Sequence, residues 1–346
     1  MNGIKKNEAP GRTVLQWLFA AAFVCAVILS GLFSGLMNGA GLFYLAFGSL
    51  AAAFMGFSRR EIGTAFRHAA GSAGPREDMK RAAYFWEAAA RNAWMLGVLG
   101  SAMNFTIALG GESGGIAAVS NRMIQSLVLT LYGLVLSVVC LVPSMKISGR
   151  AEKAPEAETP PLTAAPGPGR ARAILLERVT GYALFAAVLG LTVLSLTKGR
   201  PQEGPLTLGR VMLHGPAILV VFGGAIALAL FMGAGTGARA LTLGFAMTGL
   251  VGLLLGLIQA LFGFVHSSIR EISAALAFII SASFFALLGL VAVAAPLEDR
   301  EVMEGRRERP GPLSRMFWTV FPLLVFIFLI LTFIMVVTPM KQPGGG

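Results

Sequence analysis

The chain has 346 residues, of which 55% are hydrophobic and only 13% charged, and its mean hydropathy is +0.74. A soluble domain carries about 25% charged residues, so this composition excludes an ordinary water-soluble enzyme. The net charge of +11 sits in short clusters, with no basic stretch interleaved with aromatics, which argues against a nucleic-acid groove.

About 20 apolar residues cross a hydrocarbon core of about 30 Å. In chain order, apolar runs at 14–34, 38–57, 93–110, 117–142, 179–197, 211–232, 241–265, 272–295 and 316–338 predict nine transmembrane helices. The first run begins too late and runs too long for a cleaved signal peptide, so it is expected in the mature protein. The fold class expected is an all-α integral membrane protein. Between the second and third runs, 58–92 reads as a charged loop, whose alanine-rich part from Met79 to Trp94 is suited to extend the third helix. After the fourth run, 147–176 is rich in Pro, Ala, Glu and Thr and reads as an extended linker.

With the N-terminus inside, 22 of the 28 Lys and Arg fall on inside segments, the bias that fixes membrane topology. The expected location is the bacterial cytoplasmic membrane, N-terminus cytoplasmic and C-terminus outside, with membrane lipid as the surrounding partner. All 17 acidic residues read as loop or helix-edge positions. Cys25 and Cys140 fall inside predicted helices as small packing residues, and no metal-ligand spacing exists. His68, His214 and His266 read as scattered surface positions near water. No nucleophile elbow, phosphate loop or HExxH is present, so no enzyme, cofactor or metal site is expected.

The two halves of the chain resemble each other. LGVLGSAMNFTIAL (96–109) aligns with TGLVGLLLGLIQAL (248–261) at an offset of 152, pairing Gly97 with Gly249 and Gly100 with Gly252. At an offset of 153, Thr130 meets Ser283 and Pro143 meets Pro296. The second helices correspond around Phe47-Gly48 and Phe222-Gly223. The expected organisation is a first four-helix repeat in 1–150, a linker at 151–173, a second four-helix repeat in 174–300, and a charged linker with a ninth helix in 301–346. An even number of crossings gives the repeats one orientation, so they are parallel. Gly97, Gly100, Gly249, Gly252 and Gly256 place small residues at helical spacing, which permits close helix packing.

At these residues the chain resembles the MotA/TolQ/ExbB proton-channel family, as a tandem duplication. GLLLGLIQAL (252–261) and TLYG (130–133) carry the likeness best, and Pro143 and Pro296 stand where the family's helix-end proline would. The resemblance implies a subunit that forms a ring, as a homo-oligomer, around partner helices related to MotB, TolR or ExbD. It implies that a partner's aspartate carries the proton while ring hydroxyls line its path. The matching hydroxyls here are Ser101, Thr130 and Ser283, with Leu253 standing where the second repeat would have its counterpart of Ser101. From the residues alone, each hydroxyl has the alternative of bonding its own helix backbone four residues earlier. The family also implies a cytoplasmic partner at 58–92.

The ninth helix, MFWTVFPLLVFIFLILTFIMVVTPMK (316–341), resembles the single transmembrane helix of ExbD and TolR. The position of that family's proton-carrying aspartate falls on Val325, so the acid is missing. The function expected is a scaffold subunit of a motor or energy-transducing complex driven by proton-motive force. The alternatives are a small-molecule transporter with parallel repeats and a non-conducting structural paralogue.

Overall fold

In the computed structural model, the described residues are 39–109, 115–154, 168–197, 214–232, 237–266, 269–306 and 312–340. Two compact units divide at Gly39, and every contact below lies in Ala40–Gly346. Among the described residues all regular structure is helical. The helices are α1 (Gly39–Gly56), α2 (Arg59–Ala69), α3 (Arg76–Leu109), α4 (Gly115–Lys153) and α5 (Pro168–Thr197). They are followed by α6 (Gly215–Met232), α7 (Gly237–Val265), α8 (Ile269–Gly289), α9 (Ala295–Met303) and α10 (Pro312–Met340).

Six stretches are long and apolar enough to cross a membrane, on α1, α4, α5, α6, α7 and the run Ala274–Met303, and Phe317–Thr332 adds a shorter apolar helix. The first expected span, 14–34, lies outside the described residues. The third belongs to α3, which starts at Arg76 and so includes the alanine-rich extension expected from the sequence. Large apolar side chains on α4, α5 and α7, such as Leu134, Leu176 and Phe262, are exposed, as a lipid-facing surface requires.

Most of 58–92 is helical rather than a charged loop, α2 and the start of α3 being joined by the short turn at 70–75. Ser58 caps α2, its hydroxyl accepting from the Glu61 amide while the Glu61 carboxylate takes the Ser58 N–H at 2.7 Å. This reciprocal pairing satisfies two otherwise orphaned donors. Trp86 then donates its Nε1–H to the Ala65 carbonyl at 3.2 Å, fixing α2 on α3. His68 is buried, contrary to its surface reading, because the end of α2 folds back here: its Nδ1 lies 3.0 Å from the Ser72 carbonyl. Arg150 of α4 donates to the His68 carbonyl from the other side.

Neither candidate helix-end proline ends its helix. Pro143 lies inside α4, which continues to Lys153, into the stretch read as linker. Pro296 opens α9 directly after a π-helical turn, Leu290–Ala294. Proline cannot donate to the preceding turn, and a wider π turn re-spaces the backbone hydrogen bonds around it. A second π turn, Leu219–Gly223, interrupts α6, where the Val221 carbonyl accepts the Thr248 hydroxyl at 3.0 Å.

The most extensive packing is between α3 and α4, followed by α7 on α8. Glycine sets both crossings. A Cβ on Gly97 would lie 2.8 Å from the Gly133 Cα, and one on Gly249 would lie 2.6 Å from the Ala286 Cβ. Gly252 meets Ala282 and Gly256 meets Ile279 across the same pair, while Gly100 abuts the Tyr44 ring. The buried core runs through both helix pairs and takes in Trp318, Phe321, Val325 and Leu329 of α10. Helix α3 is the hub, touching α2, α4, α5, α8, α9 and α10.

Candidate functional site: a hydroxyl pair and a buried charge cluster

Of the three candidate pathway hydroxyls, the fold brings two together. Ser101 of α3 and Thr130 of α4 are buried, with their oxygens 2.6 Å apart. The Ser101 oxygen also lies 3.0 Å from the Gly97 carbonyl and against the Ser126 carbonyl. A hydroxyl has one hydrogen and carbonyls only accept, so Ser101 donates to a carbonyl and Thr130 donates to Ser101. The pair thereby cross-links α3 and α4 through the glycine-set crossing. Ser283 stands elsewhere, donating to the Ile279 carbonyl of its own helix at 2.8 Å. The residue that aligns with Ser101 in the second repeat is Leu253, which carries no hydroxyl to pair with.

Thr130→Val should cost about 1 kcal/mol, the usual net value of such a bond. In a Ser101→Ala background the same change should cost almost nothing, because the two act as a unit. Thermal unfolding of the four cycle members in mild detergent measures this, and equal losses in both backgrounds would refute the coupling.

A second site was not legible in the sequence. Glu298 and Asp299 of α9 are 1% and 0% exposed, which corrects their reading as helix-edge groups. The α3 residue Arg91 grips Asp299 with one guanidinium nitrogen 2.8 and 2.9 Å from the two carboxylate oxygens, and stands 3.9 Å from Glu298. Tyr84, two turns earlier on α3, donates its hydroxyl to Asp299 at 2.9 Å. Burial, with the Asp299 charge beside it, holds the Tyr84 phenol well above its usual range, so it keeps that proton. The guanidinium carbon lies 4.6 Å from the centre of the Trp318 ring of α10, a cation–π contact. The next residue of α10 accepts at its backbone, Trp94 donating to the Thr319 carbonyl at 3.3 Å. Gly56 at the end of α1 leaves room for Asp299: a Cβ there would sit 3.0 Å from a carboxylate oxygen.

Four parts of the chain thus meet at one cation and two buried carboxylates. Such groups persist in a low-dielectric interior only when paired and hydrogen-bonded. In the sequence the Glu-Asp pair and Arg91 only border apolar runs, as many loop charges do, which gave no sign that they meet.

Val325, where the ExbD/TolR resemblance would have its aspartate, is fully buried. Cys140 is buried with no disulfide partner among the described residues, whereas Cys25 lies outside them. His266 is exposed, 3.5 Å from Glu271, and the His214 ring accepts from the Ala217 amide at 3.3 Å. No group of three potential metal ligands occurs among the described residues.

Apolar helices of spanning length, packed through small residues and buried hydroxyls, define a multi-pass helical membrane protein. Residues 50–157, the segment holding Arg91, Ser101 and Thr130, match the model of the MotA/TolQ/ExbB proton channel family, in line with the sequence resemblance. No curated protein and no solved structure matches the chain.

Proposed function

We propose that this chain is the scaffold subunit of an inner-membrane complex that uses proton-motive force, with the proton-carrying acid supplied by a MotB-, ExbD- or TolR-like partner helix. The family match over 50–157 carries this reading. In it, the N-terminus is cytoplasmic, the C-terminus lies outside, and the chain assembles as a homo-oligomer. A cytoplasmic partner docks on 58–92, part of which α2 presents as an exposed helical face at Arg59, Arg60 and Phe66.

The tandem-repeat organisation belongs to the same proposal, and the crossings support it. Gly97 faces Gly133 as Gly249 faces Ala286, and these pairs differ by 152 and 153 positions. In the second helices, Gly48 lies beside Leu96 and Gly224 beside Thr248. That pairing moves the sequence alignment from Gly223 to Gly224, a one-residue shift that the π turn Leu219–Gly223 absorbs. The ninth helix packs against α3 of the first repeat and α8 of the second, and in this reading it occupies the partner position without its acid.

Glu298 and Asp299 are the carboxylates to weigh against a partner-supplied acid. Arg91 pairs with both, directly with Asp299 and at 3.9 Å with Glu298, so they form a closed cluster around one cation rather than a chain of relay groups. Purified chain in liposomes, given a membrane potential and an internal pH dye, should show no proton flux above empty vesicles. Flux should appear when an acid-bearing partner helix is co-reconstituted. Robust flux from the pure chain, abolished by Glu298→Gln, would overturn the proposal and place the acid in this chain.

A further inference from the structure

At the charged end of the bundle, a cavity of about 830 Å³ opens between α2, the start of α3, α5 and the end of α9. Six arginines line it: Arg60, Arg67, Arg81, Arg178, Arg300 and Arg306. Three lining carboxylates, Glu61, Asp78 and Glu304, leave a formal excess of three positive charges. The carboxylates do not neutralise the arginines evenly. Glu61 is engaged in the Ser58 cap. Glu304 is shared by Arg300 at 2.7 Å, Arg306 at 2.8 Å and Arg178 at 3.9 Å. Arg60, Arg67 and Arg81 have no carboxylate partner among the described residues, Arg67 bonding only the Thr64 hydroxyl at 3.1 Å.

We propose that this cavity binds a phosphate group, borne by a lipid headgroup or free in solution. The planar, multiply donating guanidinium matches phosphate oxygens in a way that the point charge of lysine does not, and no lysine lines the cavity. Like charges gathered around one opening repel one another, and an anion between them relieves that cost. The ring draws on both halves of the chain, with Arg60, Arg67 and Arg81 from the family-matched segment and Arg178, Arg300 and Arg306 from beyond it. The bound phosphate therefore joins α2 and α3 to α5 and α9, adding to the Arg59–Glu177 contact between α2 and α5 and to Glu304 between α5 and α9. The lipid source is favoured by position: Arg178 adjoins Leu175, Leu176 and Val179, all more than half exposed on α5. Acyl chains have an apolar face to lie on beside the cavity mouth, and basic pockets between membrane helices recognise anionic headgroups.

The test uses the full chain with two probes. In the lipid arm, native mass spectrometry counts phosphatidylglycerol retained against phosphatidylcholine. In the soluble arm, inorganic pyrophosphate is titrated and thermal unfolding is followed. Preferential retention of phosphatidylglycerol, or protection by pyrophosphate, is the expected result, and which of them occurs identifies the source. Arg60→Gln with Arg81→Gln should weaken that binding about tenfold, the loss expected for a charge-assisted contact. Arg172→Gln with Arg239→Gln removes the same charge from exposed positions outside the cavity and should leave binding unchanged. Arg60→Gln alone, at an exposed site, keeps the test readable where the double variant folds poorly. Binding of neither probe by the wild type, or equal weakening in the control pair, would overturn the proposal.

Discussion

Arg91→Ala should destabilise the protein by about 3–5 kcal/mol, the usual cost of removing one member of a buried ion pair. The loss is large because two carboxylates stay behind: Asp299 keeps only the Tyr84 hydroxyl and Glu298 loses the cation 3.9 Å away. Arg91→Lys should fall between, since it keeps the charge but not the planar guanidinium that stacks on Trp318 and grips both oxygens of Asp299. Asp299→Asn should cost less than Arg91→Ala, because it leaves one carboxylate facing one cation. Replacing Arg91, Glu298 and Asp299 together by Met, Met and Leu should recover much of the loss, as apolar substitution of whole buried ion clusters does elsewhere. Thermal unfolding of these variants in one detergent gives the ranking. An Arg91→Ala protein within about 0.5 kcal/mol of wild type, the range of an ordinary surface change, would show that the cluster does not hold the helices together.

That cluster also marks where sequence reading reaches its limit. Apolar runs located the six helices of spanning length because hydropathy is local, and the alanine-rich start of α3 was legible for the same reason. Burial of Glu298 and Asp299 depends on where α9 lies relative to α3, α1 and α10, which no local pattern encodes. His68 was misplaced similarly, since its burial follows from the fold-back after α2 and from Arg150 of a distant helix. The helix continuing to Lys153 was read as linker because Pro143 and polar residues usually close a helix. There, α3 and α4 keep packing beyond the apolar zone, with Ser144 donating to the Ala83 carbonyl at 2.9 Å and Ile147 buried. Of the hydroxyl site, Ser101 and Thr130 were named from the family motif. Their direct bond depends on the depth of the Gly97–Gly133 crossing.

The strongest test of that crossing compares glycines that look alike in sequence. Gly97→Ala should destabilise by about 1–3 kcal/mol, the common cost of overpacking, although alanine is the better helix former by about 1 kcal/mol. The new methyl would meet the Gly133 Cα at 2.8 Å and the Leu129 carbonyl oxygen at 3.0 Å. Both are backbone atoms, so only separation of α3 from α4 relieves the clash, and the Ser101–Thr130 bond one turn away stretches with it. Gly149→Ala, with nothing within 4 Å of the added carbon, should instead be neutral or stabilising. Gly249→Ala should also destabilise, but for a different reason: its methyl would lie 2.6 Å from the Ala286 Cβ, a side-chain atom, and 3.1 Å from the tip of Phe321. Ala286→Gly removes the first of these contacts. The double variant Gly249→Ala with Ala286→Gly merely moves one methyl across the α7–α8 interface and should recover more than half of the single variant's loss. No such suppressor exists at position 133, which is already glycine. Thermal unfolding of the five proteins decides the matter: failure of Ala286→Gly to rescue Gly249→Ala would mean that α7 and α8 do not cross at that pair, and the likeness of the two crossings would fall with it.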